Sequence, residues 1–400
     1  MTQPSSLSAK PASALPAYYP ALDGLRGLAI LWVLMHNVTV ADEYRLDSLG
    51  GKLLVAWLDA GWASVTLFFA LSGFLITSIL LDTRESPDYY RRFYRRRVLR
   101  IFPLYYAVLI GAFVVLPLFG PLPPLLEADR PHQLWLWLYL SNWVTPFESL
   151  AHTFPHFWSL AVEEQFYLLW PLLIRPRDPR GVVRLCLALT VAAGLFRIGQ
   201  HLLGAPKEAA YLWTFSRMDA LALGAAAAAV LRIPAWRDWA LQHAWQLMVA
   251  SLALLLTCLG MQKGLPPFSV TTNLYAHPML AVSFALLVMG AAAVDVSNRQ
   301  TWWAQVWRIA PLRVLAKYSY GMYVIHKLLG DAVGRPIMRA HPQWLSSISA
   351  NVVYSFASLL ATLALAYVSY HLLEQPFLKL KSTWGNPGAS GIHAAGQSST

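Results

Sequence analysis

Long apolar runs, each interrupted by short polar or basic segments, recur along the chain from about residue 20 to residue 373. Runs of 18 or more apolar residues are the mark of a membrane-crossing helix, because the hydrocarbon core needs about 20 residues at helical rise. The pattern predicts spans at 21–40, 58–82, 98–119, 156–175, 181–203, 211–231, 241–262, 274–295, 312–331 and 346–373. The predicted fold is therefore all-α, a polytopic membrane helix bundle of about ten transmembrane helices. Residues 132–144 are apolar but too short to cross, and their tryptophans suit the headgroup region, so they read as an interfacial or re-entrant piece. The first 17 residues, rich in Ser, Ala and Pro, and the last 20, rich in Gly, Ser and Ala, read as disordered tails around a membrane domain at 18–380.

Composition agrees with this reading. Of 400 residues, 57% are hydrophobic and only 13% charged, too few charges to keep a soluble chain dispersed. The net charge of +11 would suggest nucleic acid in a soluble protein. Here the excess lies in short loops at Arg84–Arg97, Arg175–Arg184, Arg232–Arg237, Arg299–Lys317 and the tail with Lys379 and Lys381. Ten spans put all of these on one face, opposite the acidic or mixed loops around Asp42–Asp47, Glu127–Glu148 and Lys207–Glu208. By the positive-inside rule both termini are cytoplasmic. The two cysteines, Cys186 and Cys258, sit in separate apolar runs and give neither a disulfide framework nor metal-ligand spacing. His152 and His156 have i, i+4 spacing, but Pro155 between them breaks the helix that two metal ligands would need, so no metal site is expected.

Several polar residues stand where hydrocarbon is expected. The first span holds Arg26 near its start and His36 near its end, about 15 Å apart along a helix axis. An ionisable side chain at that depth is costly and is a functional candidate, with a packing histidine as the bland alternative. In the run 157–171, Ser159, Glu163, Tyr167 and Trp170 fall on one helical stripe. His36 and Glu163 approach the midplane from opposite faces and are expected to meet there, either as a buried structural pair or as a base and its orienting carboxylate. Arg97 and Arg100 share a face of the third span and point partly into the bundle, where paired guanidinium forks suit phosphate or pyrophosphate. Arg91, Arg92, Arg95 and Arg96 are explained by topology and lipid headgroups alone. Ser72-Gly73 permits a close backbone approach by a neighbouring helix or a ligand. Arg217 and Asp219, two apart, cannot face each other and each need a partner elsewhere, and His326 lies on a polar seam with Ser319 and Tyr323. These three mark a substrate-binding or structural polar cavity.

The stretches Leu22–Ala29, Phe68–Thr77, Arg96–Tyr106, Trp158–Tyr167, Ser216–Leu221, Tyr318–Tyr323 and Glu374–Phe377, in this order, resemble the acyltransferase 3 family of integral membrane O-acyltransferases. The resemblance implies ten core helices in a bacterial cytoplasmic membrane and an acyl-coenzyme A co-substrate reached from the cytoplasm. It also implies transfer of an acyl group, acetyl being the expected one, to a sugar or glycan hydroxyl, with no permanently bound cofactor and no nucleic-acid partner. It points to His36 as catalytic base aided by Glu163, and to Arg26, Arg97 and Arg100 as donor-binding residues. Nine residues separate Arg26 from His36 where ten are common in the family, and Asn37 takes the usual histidine place. Some relatives carry an esterase-like domain after the last helix, for which this chain is expected to leave no room. The rival reading is a glycan or lipid transporter using His36, Glu163, Asp219 and His326 as a proton relay. The arginine pair and the lack of inverted repeats favour the enzyme.

Overall fold

The computed structural model describes residues 15–16, 18–38, 55–148, 153–261, 267–298, 300–341, 344 and 348–383. The expected tails, the acidic loop Asp42–Asp47 and His152 fall wholly or almost wholly outside these. Among the described residues there is no strand. Ten principal helices follow the predicted spans: α1 (Pro20–Val38), α2 (Ser64–Asp82), α3 (Tyr89–Ile110), α4 (Phe157–Ile174), α5 (Pro179–Leu202), α6 (Thr214–Val230), α7 (Ala244–Met261), α8 (His277–Val296), α9 (Ala310–Leu329) and α10 (Ile348–Ser369). Among the described residues five helical stretches are long and apolar enough to cross a membrane, a number that rises to six if α6 is joined to the short helix Pro234–Gln242, bent from it by 102°. The fold is an all-α membrane helix bundle. α1, α2, α3, α4 and α9 hold the polar and charged residues that line the interior site.

Two differences from the sequence reading matter for that site. α3 begins at Tyr89 rather than near 98, so the whole arginine run is helical. Arginine is a good helix former, and a run of charges does not by itself make a loop. Residues 133–148 form two short helices, Gln133–Trp137 and Ser141–Glu148, broken at Tyr139, whose φ of 55° lies in the left-handed region. A side chain there is held only by surrounding packing. The Tyr139 ring stacks on Tyr105 of α3 with centroids 4.1 Å apart.

Helix approach is set by small residues, as expected where lipid offers no hydrophobic drive for association. Gly73 of α2 packs on the Leu221 carbonyl of α6, and Gly224 of α6 packs on the Ala70 carbonyl of α2. The Ser72-Gly73 step is thus a helix-packing device at its glycine. The serine points the other way, to the Tyr167 hydroxyl of α4. In the same manner Gly24 and Gly27 of α1 lie on the Trp307 and Leu312 carbonyls at the start of α9. The first turn of α1 is tied to the end of α8, where Asp295 accepts from the Ala21 amide at 2.8 Å and pairs with Arg308 at 2.7 Å.

Candidate functional site

Four of the residues singled out in the sequence line one cavity of about 360 Å³: Arg26, Arg97, Arg100 and Glu163. Its walls come from α1, α2, α3, α4 and α9. Arg97 and Arg100 face inward because Phe93, Arg97, Arg100 and Leu104 make one stripe of α3, and the Phe93 and Leu104 ends of that stripe are buried. The Arg97 guanidinium lies 5.8 Å from the Phe93 ring centre and 5.7 Å from that of Tyr167, which holds it by cation–π contact. Among the described residues neither Arg97 nor Arg100 forms an ion pair, and the buried Nε of Arg97 has no hydrogen-bond partner. Arg26 differs, since Asp23 one turn earlier pairs with it at 3.3 Å.

The α4 stripe is arranged as its spacing requires. Ser159, Glu163 and Tyr167 all line the cavity, and Trp170 donates to the Thr77 hydroxyl of α2 at 2.8 Å. Glu163 takes a hydrogen bond from Ser72 and lies in the field of Arg26, Arg97 and Arg100. Its neighbour Glu164 also lines the cavity and lies in the field of Arg97. The chamber therefore sets three guanidinium groups against the carboxylates of Asp23, Glu163 and Glu164. Tyr320 and Tyr323 of α9 close the remaining wall, the first donating to the Ile101 carbonyl at 2.6 Å.

His36 stands outside this set. It does not line the chamber, and the groups acting on Glu163 are the arginines and Ser72. The expected meeting of His36 with Glu163 is replaced by two separate neighbourhoods. His36 Nδ1 lies 3.0 Å from the Leu58 carbonyl, its Cβ packs on Gly61, and its ring is within electrostatic reach of His326. Gly61 is one turn before Val65, which lines the chamber, so His36 sits about a turn beyond the cavity's end.

Arg217, Asp219 and His326 are likewise apart from the chamber lining. Asp219 pairs with Arg197 of α5 at 2.8 Å, both side chains 1% exposed. Arg217 donates at 2.6 Å to both His277 Nδ1 and the Thr66 hydroxyl. The partners that the i, i+2 spacing demanded thus come from three other helices, and the pair joins α5, α6, α8 and α2 inside the bundle. Breaking such a buried pair leaves one uncompensated charge, at a cost of about 3–5 kcal/mol. Asp219→Ala is accordingly expected to lower the thermal midpoint of the detergent-solubilised protein sharply while leaving the affinity of the folded fraction for coenzyme A unchanged. Differential scanning fluorimetry paired with ligand binding checks this, and an unchanged midpoint would contradict it.

Asp23, Glu164 and Tyr320 line the cavity without being singled out in the sequence. Glu164 lies about 100° around α4 from Glu163, off the Ser159–Trp170 stripe, yet the chamber is wide enough to take both. Tyr320 carried no signal beyond being aromatic in a span.

The family is decided by comparison with known proteins. Residues 19–371 match the family described as an acyltransferase domain, Acyl_transf_3. The chain belongs to the acyltransferase 3 family. It is 28% identical over 397 residues to the O-acetyltransferase OatA of Staphylococcus aureus, an alignment covering 91% of this chain and 58% of that protein. It is 25% identical over 384 residues to the peptidoglycan O-acetyltransferase OatA of Listeria monocytogenes, covering 90% and 56%. The chain thus spans little more than half the length of these relatives. No solved structure matches it significantly. Among the described residues no group of three or more His, Cys, Asp or Glu could hold a metal ion.

Proposed function

We propose that this protein transfers an acetyl group from acetyl-coenzyme A to a hydroxyl of a cell-wall or surface glycan. One observation carries the reading: Arg97 and Arg100, without ion-pair partners of their own, converge with Arg26 in a chamber inside a membrane bundle. Guanidinium forks in a space of that kind suit the pyrophosphate of a nucleotide-bearing donor. The family membership supports acyl transfer, the names of the two relatives support acetyl as the group, and that of the Listeria protein supports a glycan as the acceptor.

The donor's phosphates rest on Arg97 and Arg100, with Arg26 and Glu163 completing the inner part of the chamber. Glu163 lies in the field of the three guanidinium groups and offsets part of their mutual repulsion without pairing with any one of them. From Arg26 to His36 the axis of α1 runs about 15 Å. The pantetheine arm of coenzyme A separates its pyrophosphate from its thioester by a length of that order. His36 then lies at the reacting end. Its Nδ1–H donates to the Leu58 carbonyl, which fixes the tautomer and leaves Nε2 as the basic nitrogen. The acceptor hydroxyl gives its proton to Nε2 while its oxygen attacks the thioester carbonyl. The C–O bond forms, the C–S bond breaks, and the thiolate takes the proton from the imidazolium. The orienting group is thus the Leu58 carbonyl and not Glu163. Phe68 and Tyr323, in edge contact with centroids 6.2 Å apart, wall the chamber and must part for the thioester to pass them.

Proteoliposomes holding the protein, acetyl-coenzyme A with a deuterated acetyl group and a chito-oligosaccharide test the reading by mass spectrometry. A glycan heavier by one deuterated acetyl is expected. Intact glycan and intact thioester after long incubation would reject it.

A further inference from the structure

Behind the Tyr323 wall lie two histidines that the chamber does not use. His156 precedes the first turn of α4 and His326 is in the last turn of α9, with ring centroids 4.9 Å apart. Both are buried, at 7% and 2% exposure. Their protonation pattern follows from their bonds. His156 Nε2 is 3.2 Å from the Val324 carbonyl, and His326 Nδ1 is 2.6 Å from the Tyr323 carbonyl. A carbonyl only accepts, so those nitrogens carry the hydrogens and the rings are neutral. That leaves His156 Nδ1 and His326 Nε2 as bare acceptors, and both are buried without any hydrogen-bond partner. Buried polar atoms of native proteins are nearly always satisfied, so two adjacent orphans of the same kind mark a place for a donor. Lys327 does not fill it, since no contact between its ammonium and either free nitrogen satisfies them, and the field of His36 reaches the same spot. The Tyr323 ring, 5.4 Å from His156 and 5.6 Å from His326, separates the pair from the chamber, and its hydroxyl is held at 2.5 Å by Ser159.

We propose that His156 and His326 form the acceptor subsite: a pair of neutral imidazoles that receives the O–H groups of a sugar and aims one of them at His36. The inference rests on the acyl-transfer reading above. Its chemistry selects the ligand class. Two lone-pair nitrogens on rings whose centroids are 4.9 Å apart take two O–H donors, as neighbouring sugar hydroxyls supply, and give nothing to a carboxylate or phosphate, which only accepts. Two imidazoles without a third ligand make no metal site among the described residues. The donor and acceptor therefore bind on opposite sides of Tyr323, anion at the arginines and neutral polyol at the histidines.

The position of each free nitrogen gives a discriminating test. An asparagine carboxamide oxygen falls near where Nδ1 stood, and a glutamine oxygen near where Nε2 stood. His156→Asn and His326→Gln should keep the acceptor KM within about threefold of wild type. His156→Phe and His326→Phe, which keep the ring and lose the acceptor, should raise the KM for a chito-oligosaccharide at least tenfold with the coenzyme A Kd unchanged. If the Phe variants fail to fold, His156→Asn against His156→Gln decides, the second having the larger KM. Equal acceptor KM across the folded variants overturns the subsite. Wild-type protein that cleaves no thioester with or without glycan overturns the acyl-transfer reading instead, and the two failures are told apart.

Discussion

Arg97→Ala is expected to weaken coenzyme A binding by roughly 30- to 4000-fold. The range follows from the 2–5 kcal/mol cost of truncating one partner of a buried, hydrogen-bonded charge pair, at 1.4 kcal/mol per tenfold. Arg97 should dominate for two reasons. Its guanidinium has no carboxylate to return to when the ligand leaves, and Phe93 and Tyr167 hold it in place, so little ordering entropy is lost on binding. Arg97→Lys keeps the charge but not the fork and should recover only part of the affinity. Arg91, on the exposed side of the same helix, is the control: Arg91→Ala should change the Kd less than threefold. Isothermal titration of coenzyme A into protein in nanodiscs measures all three. Equal affinities for wild type and Arg97→Ala would remove the arginine cluster from donor binding.

Much of this arrangement was legible before any coordinates. The long apolar segments are helices because a chain in lipid has few alternatives to satisfying its backbone internally. The shared face of Arg97 and Arg100 and the stripe Ser159–Glu163–Tyr167–Trp170 were readable because 3.6-residue periodicity fixes which side chains share a face. Periodicity does not fix the rotation of one helix against another, and there the sequence reading failed. His36 and Glu163 were brought together from their depths alone, while the three arginines around Glu163 arrive from α1 and α3 by tertiary packing. The break at Tyr139 was illegible for another reason: a tyrosine in the left-handed region is not a local preference, and its stacking on Tyr105 arises only once α3 is in place. Arg217 and Asp219 lie between these cases. Their spacing required separate partners, and which partners they found, Arg197 and His277, depended on how α5 and α8 pack on α6.

His36→Ala is expected to lower kcat about 10²- to 10⁴-fold, the usual contribution of a positioned base, and to leave the coenzyme A Kd within twofold. The separation of the two neighbourhoods makes a sharper statement possible. If His36 and Glu163 worked as a dyad, removing either would disable the other, and the double variant would be no worse than the more damaged single one. The structure sets His36 against Leu58, Gly61 and His326, outside the chamber, and Glu163 among Ser72 and three arginines within it. Glu163→Gln should therefore act mainly on donor binding, and its effect should add to that of His36→Ala in kcat/KM. Steady-state acetyl transfer for the two single variants and the double variant closes this cycle. Additivity within about 0.5 kcal/mol is what independent sites give. A double variant equal to His36→Ala alone would restore the dyad and require α1 and α4 to turn toward each other when the donor binds.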